Sequence, residues 1–340
     1  MASIEEVARE AGVSISTVSY ALSGKRAISE STRSRVQEAA QRMGYQPKAS
    51  ARMLASKHSQ IIAVTAPIHD DTDREAHMSF ALEVTRAART HDYDTLLLVH
   101  DDAIEGIRRT AATSLADGII VLDVDANDER VTLARTIACP TVFVGVPSDT
   151  TGLICVDLDF ETAAEMAIDR LIEAGRRSIA LISHSREVIE RQQNFPLRFS
   201  KRFCEYAAER GVEFAVIHPS ADSTSAEISA LLERLPSLDG LIVNAGPEVA
   251  WRVVPVLESL DRTVPEDISI IAAGVPYSVD RFPIPFDTIP LDATASCELA
   301  VQMLVDQIEK RPAPQEVTLI PPSYVERGSV RRRPPAQEGG

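Results

Sequence analysis

The most constraining stretch of this 340-residue chain is 4–22, IEEVAREAGVSISTVSYAL, in which one glycine separates two short helical patterns. Ile4, Val7, Ala8 and Ala11 recur at helical spacing and can bury one face. Ser3 with Glu6 three residues on predicts a capping box at the start. Gly12 ends that helix and permits a sharp turn. Val13 points back toward the small core, and Ser14 or Ser16 caps a second helix that buries Val18, Ala21 and Leu22. A third helix over 31–43 closes the unit with Val36, Ala39, Ala40 and Met43. Helix, tight glycine turn and helix make a helix-turn-helix pattern. The turn alone also fits a small helical bundle with no nucleic-acid role.

The exposed face of the second helix would carry Ile15, Ser16, Thr17, Ser19 and Tyr20, mostly short and polar. If its N-terminus enters a major groove, Ile15, Ser16 and Tyr20 reach base edges. Hydroxyls there donate or accept, and Ile15 suits a thymine methyl. Ser14, Thr17, Ser19, Thr32 and Arg33 complete the expected DNA contacts, with Ser14, Ser19, Thr32 and Arg33 holding phosphates and setting register rather than sequence.

The overall charge of −15 argues against a DNA-binding chain until its distribution is considered. Residues 1–60 hold nine Lys and Arg against five Glu and no Asp, a balance of +4, so the remainder carries −19. Such asymmetry suggests one end facing nucleic acid and an acidic bulk repelled by phosphate. No apolar run approaches the roughly 20 residues that span a bilayer, and the start lacks the features of a secretion signal. Cys139, Cys155, Cys204 and Cys297 are scattered, with no CxxC pair, which fits reduced thiols in a cytoplasmic protein.

From 61 onward, short apolar runs at 61–65, 95–99, 118–122, 141–145, 153–157, 178–183, 214–218, 240–244 and 268–273 alternate with amphipathic segments such as 78–90, 161–174, 199–210 and 226–235. This order predicts an α/β fold whose parallel sheets are covered on both faces. Nine strands exceed one comfortable sheet, so two are expected, with a break near Phe160 and a return near Pro290.

Several runs bear a close resemblance to the LacI/GalR family of bacterial transcription regulators. These are I4-x-x-V7-A8-x-x-A11-G12-V13-S14-x-x-T17-V18-S19-x-x-L22, I28-S29-x-x-T32-R33-x-x-V36, M43-G44-Y45-x-P47 and A51-x-x-L54-A55. The resemblance covers essentially the whole chain and is strongest at its start. It implies a helix-turn-helix headpiece at 1–46 and a hinge helix or linker at 47–60. A two-lobed periplasmic-binding-protein-like core would then occupy 61–327, with three crossovers and a ligand cleft. Lobe 1 would comprise about 61–160 and 291–320, lobe 2 about 161–290, and 328–340 would be a disordered tail. The resemblance also implies a homodimer on a pseudo-palindromic double-stranded operator, most often as a repressor under a small-molecule effector such as a sugar or other metabolite. Ala51 and Leu54 of paired hinge helices would meet the central minor groove, with Leu54 wedged between base pairs.

The sequence departs from that pattern in two places. Tyr20 stands where many relatives carry a guanine-reading Arg, which alters the expected half-site. In the cleft, the usual sugar-binding Arg is approximated by Arg198, displaced by one residue relative to the following helix. Asn244 matches the next position, but Ala245 replaces the usual Asp, and Ala272-Ala273-Gly274 replaces Gly-Tyr-Asp. Arg198 and Asn244 are therefore the expected effector contacts, and a cleft without an effector, or a solute-binding receptor that kept a headpiece, are the alternatives. No nucleophile elbow, phosphate loop or HExxH motif is present, so neither an enzyme nor a cofactor is expected. The run Asp70-Asp71-x-Asp73 lacks the spacing and glycine of a calcium loop and reads as solvated, with no metal.

Overall fold

A computed structural model describes residues 2–23, 28–45, 58–68, 73–99, 103–312 and 316–332. Ala51, Leu54 and most of the expected hinge at 47–60 lie outside the described residues, as do Asp70, Asp71 and 333–340.

The first three helices are α1 (Ile4–Ala11), α2 (Ile15–Ser23) and α3 (Glu30–Arg42). Ser3 Oγ accepts from the Glu6 N–H at 3.2 Å, and the Glu6 carboxylate accepts from the Ser3 N–H at 2.8 Å. That reciprocal pair satisfies two donors the helix start would otherwise leave open. Gly12 stops α1 at φ 63°, a left-handed conformation that suits glycine. Ser14 rather than Ser16 caps α2, accepting from the Thr17 N–H at 3.1 Å. Val7, Val18, Val36 and Ala39 are wholly buried where the three helices meet, with Ile4, Val13, Leu22 and Met43 packed partly buried around them.

The rest of the described chain folds as two parallel sheets. The first contains β1 (Ile61–Thr65), β2 (Asp94–Leu98), β3 (Gly118–Val121), β4 (Thr141–Val144), β5 (Ile154–Leu158) and β11 (Val317–Ile320), ordered β11-β5-β4-β3-β1-β2. The second contains β6 (Ser178–Ile182), β7 (Glu213–Ile217), β8 (Gly240–Val243), β9 (Ser269–Val275) and β10 (Asp287–Pro290), ordered β10-β9-β8-β6-β7. Every pairing is parallel. The helices are α4 (Arg74–Thr90), α5 (Ala103–Thr113), α6 (Glu129–Thr136), α7 (Phe160–Glu173), α8 (Arg186–Glu190), α9 (Asn194–Glu209), α10 (Thr224–Arg234), α11 (Pro247–Ser259) and α12 (Ala293–Ile308). α9 starts five residues before the expected 199 because Pro196 sits in its first turn, where a missing N–H leaves no bond unmade.

The chain passes between the sheets three times. After β5 it enters α7, which packs on the second sheet, and after β10 it enters α12, which lies on the first. α12 comes so close that a Cβ at Gly118 would fall 2.8 Å from Leu304 Cδ1. After β11 the chain returns to the second sheet, where Val325 forms a bridge with Thr288.

That return corrects the expected disorder from 328 onward, at least as far as 332. Ser329 is wholly buried, and its Oγ accepts from the Asp287 N–H at 2.6 Å and donates to the Ile270 carbonyl at 2.5 Å. The Asp287 carboxylate accepts from the N–H groups of Arg327, Gly328 and Ser329 at 2.8, 2.7 and 3.0 Å. One buried carboxylate thus orders a segment whose Arg- and Gly-rich composition reads as unstructured.

Candidate functional site

Two surfaces carry the expected chemistry. On α2, Ile15 is 48% exposed beside exposed Ser14 and Ser16. Thr17, Ser19 and Tyr20 are half-buried next to them. Ser14 Oγ lies 2.8 Å from both Ser16 Oγ and Thr17 Oγ1, a hydroxyl cluster at the start of the helix. A helix start with open N–H groups and hydroxyls suits phosphate oxygens. Thr32 sits in the first turn of α3, its Oγ1 2.7 Å from Ser29 Oγ. Arg33 follows it, half-buried, with a buried Nε that has no hydrogen-bond partner among the described residues. The structure therefore gathers Ser14, Ile15, Ser16, Thr17, Ser19 and Tyr20 on one helix and puts Thr32 and Arg33 at the start of the next.

Immediately after the undescribed 46–57 the chain is tied down. The Asp117 carboxylate accepts from the N–H groups of Ser59 and Gln60 at 2.7 and 2.8 Å, and His58 Nδ1 lies 3.7 Å from it. Gln60 takes φ 56° there, and its carbonyl accepts from the Asp94 N–H at 2.9 Å. The first sheet thus grips the connecting segment by both its N–H groups and its carbonyl, a clamp that sequence reading missed.

The second surface is a cavity of about 760 Å³ between the sheets. Asp73, His77 and Phe80 of α4 and Asp123 line it from one side; His184, Arg191, Phe195, Glu248 and Tyr277 line it from the other. Neither expected effector contact reaches it. Arg198 donates to the Glu161 carboxylate at 2.9 and 2.7 Å and to Asp157 at 2.7 Å, lying behind the Phe160 ring. Burial pushes the Asp157 carboxyl up to about 7 even against the pull of Arg198. Asn244 is wholly buried and donates to the Ala273 carbonyl at 2.8 Å. Its Oδ1 has no partner among the described residues. The end of β9 that it braces has no room for a side chain at Gly274. Gly274 has φ 65°, and a Cβ there would lie 2.8 Å from the Phe160 ring.

The cavity is flanked by a strap that joins the two halves. Ala126 N–H donates to the Gln192 carbonyl at 2.8 Å and Asn194 N–H to the Val124 carbonyl at 3.1 Å, around an antiparallel bridge between Asp125 and Gln193. Arg191 crosses to Asp123 at 3.3 Å and Asp125 at 3.2 Å, and the Gln193 amide donates to Asp123. Arg130, 5% exposed, holds the loop from beneath. It bonds Asp128 at 2.6 Å, the Leu122 carbonyl at 2.9 Å and Thr65 at 3.1 Å. No short motif marks this strap, since its halves lie more than 60 residues apart.

Among the described residues no group of His, Cys, Asp and Glu could hold a metal ion, and no helix is long and apolar enough to cross a membrane. Asp73 caps α4, accepting from the Glu75 and Ala76 N–H groups at 3.0 Å each.

Comparison with known proteins gives two family matches. Residues 3–48 match the model of bacterial regulatory proteins of the lacI family, and 168–330 match a periplasmic binding protein-like domain. The transcriptional regulator RegA of Clostridium saccharobutylicum is 23% identical across 96% of this chain and 99% of its own. Catabolite control protein A of Priestia megaterium is 28% identical over 79% of this chain and 81% of its own. The crystal structure of the Lac repressor dimer bound to operator and an anti-inducer superposes with a TM-score of 0.79 at 20% identity. It covers 97% of this chain and 99% of that one.

Proposed function

The chain belongs to the lacI family of bacterial regulatory proteins and is a DNA-binding transcriptional regulator, and we propose that it acts as a homodimeric repressor whose operator affinity is set by a small molecule in the interlobe cavity. The observation that carries this reading is the hydroxyl-rich face of α2, where Ile15 stays 48% exposed on a helix that is otherwise packed into its own small core. An apolar side chain held in water among hydroxyls suits a base edge. In this reading Ile15, Ser16 and Tyr20 read sequence with the Thr17 hydroxyl beside them, while Ser14, Ser19, Thr32 and Arg33 hold the backbone. Ala51 and Leu54 act at the minor groove.

Homodimerisation is supported by apolar surface on the first sheet. Leu82 is 63% and Met78 39% exposed on α4, and Leu97 and Val99 are exposed on or just after the edge strand β2 that packs beside it. A second copy covering this face would set two headpieces at a two-fold spacing. The domains assigned are 1–46, 47–60 and a core from 61 to 332. The relatives described above are regulators rather than enzymes, and we assign this chain no catalytic role and a cytoplasmic location.

Control follows from linkage. A ligand that prefers one arrangement of the lobes changes DNA affinity by its coupling free energy, about 1–3 kcal/mol or about 5- to 150-fold. The test is selection of bound duplexes from a random pool with the full chain near physiological salt. The expected product is a pseudo-palindrome. Recovery of a single asymmetric half-site would overturn the dimer, and recovery of no motif, with or without cell-extracted metabolites, would overturn the sequence-specific role. Leu54→Ala should speed dissociation from the selected duplex and leave non-specific binding unchanged; equal effects on both would sink the wedge.

A further inference from the structure

Building on the interlobe cavity as the effector site, we infer that its ligand is a cation: an amine or amidine carried on a largely apolar, ring-bearing body. The walls set the body. Phe80, Phe195 and Tyr277 line the cavity from both halves, and a volume of about 760 Å³ holds a ligand of metabolite or drug size. Aromatic faces favour an enclosed cation as well as apolar surface.

The charges set the head group. The guanidinium that faces the cavity, Arg191, is engaged by Asp123 and Asp125 at 3.3 and 3.2 Å. Arg198 is held behind Phe160 by Asp157 and Glu161. An anionic ligand would therefore have to break an existing ion pair to gain a partner. His77 and His184 carry a full charge only when protonated. Glu248, in contrast, is exposed in the first turn of α11, lines the cavity and has no ion-pair partner among the described residues. The carboxylate folds against Gly246 so closely that a Cβ at 246 would lie 2.7 Å from Oε2. Across the cavity Asp73 uses Oδ1 to cap α4 and likewise has no ion-pair partner among the described residues. Glu248 and Asp73 both act on the Tyr277 hydroxyl, which burial and then these two charges hold in its neutral form. Both carboxylates line the same cavity, one from each lobe, so a cation held there would be attracted by both. A polyol, by comparison, would find neither Arg198 nor Asn244 in reach.

The test uses matched probes on the full chain: phenethylamine, 2-phenylethanol and phenylacetate; benzamidine, benzamide and benzoate; and D-galactose and cellobiose. Thermal shift and calorimetry at near-neutral pH read binding. The cations should bind and stabilise, with the alcohol, amide, acids and sugars at least tenfold weaker. Glu248→Gln, and Gly246→Ala, which displaces the carboxylate without removing its charge, should each weaken the cations about tenfold or more. Unliganded melting temperatures of both variants report whether the fold is intact. Binding of a neutral, anionic or sugar probe as tight as the cation, cation binding indifferent to Glu248→Gln, or no cation binding at all would overturn the inference. Binding of the selected operator by the same preparation separates the two readings. Operator binding without cation preference overturns only the ligand class, and cation preference without operator binding overturns the regulator.

Discussion

The headpiece and the interlobe cavity solve opposite problems with polar side chains. In the headpiece the caps join residues three apart, Ser3 with Glu6, Ser14 with Thr17 and Ser29 with Thr32. Those local bonds leave the outer face of α2 to meet a partner. Around the cavity the polar bonds reach far along the chain, 68 residues from Arg191 to Asp123 and 41 from Arg198 to Asp157. There the arginines hold the protein to itself. A surface that reads a long polymer gains from short, unengaged groups repeated on a rigid helix. A cavity that encloses one small molecule gains from fixed walls and a few unmatched charges.

The comparison can be broken most forcefully from the headpiece. Val36→Asp places an unpaired charge in a core of mainly alanine and valine. Operator binding should disappear while the core unfolds at an unchanged temperature in calorimetry; a shifted core transition would show that the two regions fold as one. Arg130→Ala should do the reverse. It removes a guanidinium that is 5% exposed and leaves Asp128 buried without its partner, at a cost of about 3–5 kcal/mol. The core transition should fall by several degrees in calorimetry with the headpiece signal intact. Tyr20→Ala should cost about 1–3 kcal/mol on the selected duplex and nothing on random DNA. A uniform loss on both in a titration would assign Tyr20 to the phosphates. The last prediction concerns pH. Because burial raises the Asp157 carboxyl from 3.8 to about 7, its contribution to stability is complete below about 3.8 and is lost as pH rises through about 7. Asp157→Asn should flatten that part of the stability profile. An unchanged slope between those limits would show that Arg198 keeps Asp157 ionised throughout.

What could be read from the sequence follows the same division. Ser3, Gly12 and Val18 announce the headpiece because each acts on neighbours within a turn or two, and both cap and stop stand where their spacing puts them. The nine apolar runs are strands because a short continuous apolar run suits a sheet covered on both faces, with exposed residues kept only on edge strands such as β2 and β7. β10 escaped notice because its sequence, DTIP, has an acid at its start and a proline at its end, and β11 because Val317–Ile320 runs straight into Pro321 and Pro322. Arg198 shows the limit more sharply. Its guanidinium is taken up by Asp157 and Glu161, 41 and 37 residues away, which no local spacing reveals. Glu248, Arg191 and Asp123 carried no signal, since only the fold brings their distant segments together.

The Asp117 clamp has a mechanical consequence. It fixes the point from which each headpiece is tethered, at Ser59 and Gln60. Residues 46–58 can extend no further than about 45 Å, so a headpiece is confined to a small sphere around that point. If two copies pair as proposed, the second half-site is then met at a high local concentration rather than from bulk solution. Loosening the clamp would widen the sphere and dilute the headpiece without altering one DNA contact.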